Sequence, residues 1–138
     1  MISADRPDGC FRHDHDAGRD LLRLEYAGCL TGALLVREMA ARFRVPGVTA
    51  RTRMLAVCVN AEIDEVDLRT LTGYQRAKLA GGYPDLRTAL VVPDRPGHLA
   101  LAELWAATKP GGKGTGAAVF VNESSALEWL LGSSENLR

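Results

Sequence analysis

The amino-acid sequence predicts an α/β fold with a mostly parallel central sheet of about five strands, an antiparallel hairpin strand at its N-terminal edge and helices on both faces. Three observations carry this. The runs MLAVCV (Met54 to Val59), ALVV (Ala89 to Val92) and AAVFV (Ala117 to Val121) are apolar without alternation, as strands covered on both faces are. Segments with helical spacing separate them, so strand and helix alternate and right-handed crossovers set the strands side by side. The opening segments FRHDHD and LLRLEY alternate instead and flank the turn-like AGRD, which makes them a hairpin.

In the first hairpin strand Phe11, His13 and His15 share one face, and Arg12, Asp14 and Asp16 the other. Charged side chains there discourage edge-to-edge pairing with another molecule. In the second, Leu22, Leu24 and Tyr26 oppose Arg23 and Glu25, so one face is less covered. The segment ALLVREMAARFR repeats Leu35, Met39 and Phe43 every fourth residue, joined by Val36 and Ala40. This predicts a helix whose outer side holds Arg37, Glu38, Arg42 and Arg44, with Leu34 the exception.

From Asp64 to Leu79 the chain is helical in composition but weakly amphipathic, and Gly73 divides it into two short helices. LAGGYPD then turns the chain towards the next strand. RPGHLALAELWAATK opens with Pro96 in its first turn, with Asp94 as the cap, and is apolar nearly all round. Leu101, Leu104 and Trp105 lie opposite Leu99, Ala102 and Ala106, and the first set is the candidate partner interface. KPGGKGTG is a flexible loop, because it lacks P-loop spacing and precedes a strand. In the last helix Asn122 is the cap, Ala126, Trp129 and Leu130 share a face, and Gly132 is the stop. Residues 10–132 thus form one domain, with flexible tails at 1–9 and 133–138.

Seventeen basic and seventeen acidic side chains cancel, leaving no field that would gather a nucleic acid. No apolar run approaches the roughly 20 residues that cross a bilayer, and the polar start MISADRPDG is not that of a signal peptide, so a cytoplasmic location is expected. Cys10, Cys29 and Cys58 are odd in number and widely spaced, which suggests reduced thiols, with Cys58 buried.

Ligands of open parallel sheets collect beyond the carboxyl ends of the strands. That rule selects Thr31, Asn60, Asp64, Asp94, His98 and Asn122 as pocket candidates. Asp94 and His98 are four apart at a helix start, where an aspartate can orient an imidazole, but neither a nucleophile nor a second base accompanies them. No catalytic residue is therefore assigned. A metal on His13 and His15 would need a third ligand from elsewhere, so no metal site and no cofactor are expected.

The element order, with RTALVVPD, LALAELWAATK and GAAVFVNESSALEWLLG, resembles the SpoIIAA-like family of small bacterial proteins within the STAS superfamily. The residues that carry the resemblance are Ala89 to Val92, Phe120, Asn122, Ala126, Trp129 and Leu130, mostly packing positions. It implies a regulatory or protein-interaction module, with a protein partner or a homodimer. The phosphorylated serine or threonine of that class is not matched, since NAEIDEVDLRT has no serine and Thr70 comes late. The family's kinship in fold with CRAL-TRIO domains implies the alternative, a small apolar, lipid-like ligand held between helices and sheet. An enzyme using Asp94 and His98 stands third.

Overall fold

The computed structural model describes residues 8–109 and 116–132. Its strands are β1 (Cys10–Asp16), β2 (Leu21–Cys29), β3 (Arg53–Glu62), β4 (Thr88–Val91) and β5 (Ala117–Phe120). They lie in the sheet in chain order, β1 antiparallel to β2 and the rest parallel. Between and after them run α1 (Gly32–Arg42), α2 (Leu68–Gly81), α3 (Pro96–Thr108) and α4 (Glu123–Leu127), the last continued by a π-helical turn, Glu128–Gly132. The fold class is the one the sequence predicts.

Each parallel step moves one strand further in the same direction, so like-handed crossovers deliver α1, α2 and α3 to a single face. The core divides accordingly. On that face Leu22, Leu24, Met54, Ala56 and Cys58 of the sheet pack with Leu34 of α1 and Ala102 of α3. On the other, Leu55, Val57, Ala89 and Val91 pack against Ala126 and Leu130 of the C-terminal helical segment, with Phe120, Leu127, Trp129 and Leu131 around them. Near the β1 edge this second face is polar, and Arg23 donates to Glu123 at 2.7 Å and to Glu25 at 3.2 Å.

Several local expectations are corrected. The segment after β3 is one continuous helix, α2, started by Asp67, whose carboxylate accepts from the Thr70 amide at 2.8 Å. Gly73 does not break it, because it lies exposed with open space around its Cα. Gly82, left-handed at φ 70°, closes it. Helix α3 is capped by the backbone of Arg95 with no side-chain bond, so Asp94 is not its cap; Pro96, which needs no donor partner, suits the first turn. Helix α1 is rotated relative to its amphipathic pattern: Leu34, Glu38, Met39 and Arg42 are buried, while Val36 is exposed.

At the N-terminus, Asp8 bridges to Cys29, and a side chain on Gly9 would stand 2.2 Å from the Cys29 carbonyl oxygen. Gly9, expected in a tail, is packed against the fold. The rest of the two tails and most of the glycine-rich loop lie outside the described residues.

Candidate functional site

Helix α1 starts locally and is oriented by partners from other elements. Thr31 caps the helix, its hydroxyl accepting from the Leu34 amide at 3.2 Å, and positions 34, 38 and 42 then fall on one stripe facing the sheet. Glu38 is fully buried and accepts from four donors: Tyr26 Oη at 2.9 Å, Arg42 Nε at 2.9 Å, Arg42 Nη2 at 2.5 Å and His13 Nε2 at 2.9 Å. These fill the roughly four lone-pair sites of a carboxylate. Burial alone would raise the Glu38 pKa, but hydrogen bonds from His13, Arg42 and Tyr26 and the charge of Arg42 outweigh it and hold the carboxyl below its usual range. Arg42, 3% exposed, also donates through Nη2 to Tyr74 Oη at 2.9 Å, and stays charged because Tyr74 and Glu38 offset its desolvation. Burial pushes the phenols of Tyr26 and Tyr74 above their usual range.

This network forms one end of a cavity of about 100 Å³ between the sheet and the α1 to α3 layer. Its floor is Leu24, Met54, Ala56, Cys58, Leu90 and Val92. Leu71 and Tyr74 of α2 face Leu101 and Trp105 of α3 across it, and Arg42 and His98 complete the polar lining with the two tyrosines. Leu90 belongs to a central strand and yet is only half-buried. Cys58 on the floor is buried, and desolvation pushes its thiol up to about 12, so it is a small apolar wall and not a nucleophile.

A second polar cluster adjoins the first. Lys78 of α2 pairs with Asp85, and Lys109, just past α3, donates to the Leu86 carbonyl at 2.9 Å and to Thr88 Oγ1 at 3.3 Å. Asp85 lies 3.8 Å from the Lys109 ammonium. Desolvation, reinforced by the charge of Lys78, lowers Lys109 to about 7, and burial lowers Lys78 as well.

Of the six pocket candidates, the structure brings only His98 to the cavity. Thr31 and Asn122 are spent as caps, Asn122 accepting from the Ser125 amide at 2.8 Å on the other face of the sheet. Asn60, Asp64 and Asp94 are exposed. Of the three interface candidates, Leu101 and Trp105 line the cavity and Leu104 is 38% exposed. His13 and His15 point to different carboxylates, Glu38 and Asp20, and among the described residues no group of three or more histidine, cysteine or acidic side chains is placed to hold a metal. Among those residues, too, no helix is long and apolar enough to cross a membrane.

Sequence reasoning missed Glu38, Arg42, Tyr74 and Lys109. One signal was present: Glu38 and Arg42 are spaced i, i+4 in line with Leu34, the residue that broke the pattern. Comparisons with protein-family models, with curated proteins and with solved structures find no match for this chain.

Proposed function

We propose that this protein binds a small, mostly apolar molecule in the cavity between its sheet and the layer formed by α1, α2 and α3. The observation that carries this is the cavity itself, apolar over its floor and most of its walls, with its polar groups gathered on a few side chains. An apolar cleft open to solvent keeps hydrophobic surface wet, and a bound apolar molecule would cover it. The resemblance to SpoIIAA-like proteins, with its kinship to lipid-binding folds, supports the same reading. For a protein-interaction role built on α3, Leu104 is exposed while Leu101 and Trp105 are half-buried and line the cavity.

Xenon is a suitable first probe, being apolar and smaller than benzene, which enters engineered cavities of about 150 Å³. Under xenon pressure, methyl signals of Leu90, Val92 and Leu101 are expected to shift in a saturable way, while those of Leu55 and Val57 on the opposite face stay put. A Leu101→Trp variant that fills the cavity should lose the response with its fold intact. Uniform or absent shifts in the wild type would remove the proposal.

A further inference from the structure

The hydrogen-bond inventory of the cavity wall is unbalanced, and the imbalance selects a class of ligand. Glu38 has all its acceptor sites filled and is not part of the lining. Arg42 spends Nε and Nη2 on Glu38 and Tyr74, and among the described residues its Nη1 has no partner. Tyr74 accepts from Arg42, but its own O–H finds no acceptor there. His98 makes no side-chain hydrogen bond among these residues. The wall therefore offers donors on Arg42 and Tyr74 that no described residue takes up and that a ligand in the cavity could reach.

Charge points the same way. Glu38 pairs with Arg42 without lining the cavity, and Lys78 and Lys109 lie close enough to act on the same region, with Asp85 between them. An anion at Arg42 Nη1 thus meets a cation directly and its compensating carboxylate only at second hand.

We propose that the ligand carries a carboxylate, one oxygen accepting from Arg42 Nη1 and the other from the Tyr74 hydroxyl, with a short apolar body lying over Leu90 and Val92 towards Leu101 and Trp105. The small cavity limits the enclosed part to a short body, so a longer chain must extend out of it. A cationic head is excluded by the same donors that select the anion. This inference rests on the cavity being a binding site, and its test separates the two.

Butanoate, butanamide and butylamine share a body and differ in head group. Titrated at pH 7 against the full chain and followed through the Leu90, Val92 and Leu101 methyls, butanoate is expected to bind at least tenfold more tightly than butylamine and more tightly than butanamide. Tyr74→Phe should weaken butanoate about tenfold and by clearly more than it weakens butylamine. Equal binding of all three, a preference for butylamine, or an unchanged butanoate affinity in Tyr74→Phe overturns the carboxylate assignment while the xenon response preserves the cavity. Butanamide matching butanoate also overturns it, in favour of a neutral carbonyl head. If neither xenon nor any of the three moves these methyls, the binding site itself falls. Should Tyr74→Phe fail to fold, the wild-type ranking decides alone.

Discussion

Replacing Glu38 by glutamine tests whether the buried network holds α1 in its unexpected rotation. The substitution keeps the side chain's shape but leaves the Arg42 guanidinium, 3% exposed, without its counter-charge, and turns an amide N–H₂ towards groups that are themselves donors. Breaking one partner of a buried ion pair costs about 3–5 kcal/mol, a large share of the ~5–15 kcal/mol that stabilises a domain of this size. For such a domain this is a fall in Tm of about 10–20 °C. Urea titration followed by far-UV circular dichroism, with the slope m unchanged, measures it. The decisive comparison is the double variant Glu38→Leu, Arg42→Leu, which removes both charges; it should be less damaged than Glu38→Leu or Arg42→Leu alone, with a coupling of about 2 kcal/mol or more. A Glu38→Gln protein within about 1 kcal/mol of wild type, or a double variant that simply adds the two single losses, would refute the reasoning.

Two further outcomes follow from the same contacts. Lys109 titrates at about 7 in the folded chain against 10.5 ordinarily, so between those values the unfolded state binds the extra proton and stability rises with pH. Lys109→Met should therefore stabilise most below pH 7, on the order of 3 kcal/mol, less whatever its bonds to Leu86 and Thr88 contribute, and the gain should vanish near pH 10.5; a pH-independent difference in urea midpoints would refute this. Gly28 holds φ 78°, and a side chain there would stand 2.5 Å from the Asp8 carbonyl oxygen, so Gly28→Ala should cost about 1–3 kcal/mol and speed amide exchange around Asp8 and Gly9, whereas wild-type stability would show that the N-terminal bridge does not hold the glycine in place.

The sequence by itself determined the architecture. The unbroken apolar runs at Met54 and Ala89 have no wet face to offer and are interior strands, and the alternation from Phe11 to Asp16 marks one edge; the equally apolar run at Ala117 is nevertheless the other edge strand, β5, because a run tells which faces are covered and not how many strands flank it. Local chemistry also marked Pro96 in a first turn and Asn122 as a cap, because each acts within a few residues of itself. Burial is not local. Periodicity placed Glu38 and Arg42 outside because charged side chains stay in water unless they are paired, and their partners come from elsewhere in the chain: Tyr26 and His13 on the sheet, Tyr74 from α2. Leu101 and Trp105 looked like an interface for the same reason, since an apolar helix face announces that it is covered without naming the cover. Only the packing of three helices on one side of the sheet decided that the cover is a cavity, and that an arginine and a tyrosine with donors to spare stand at its end.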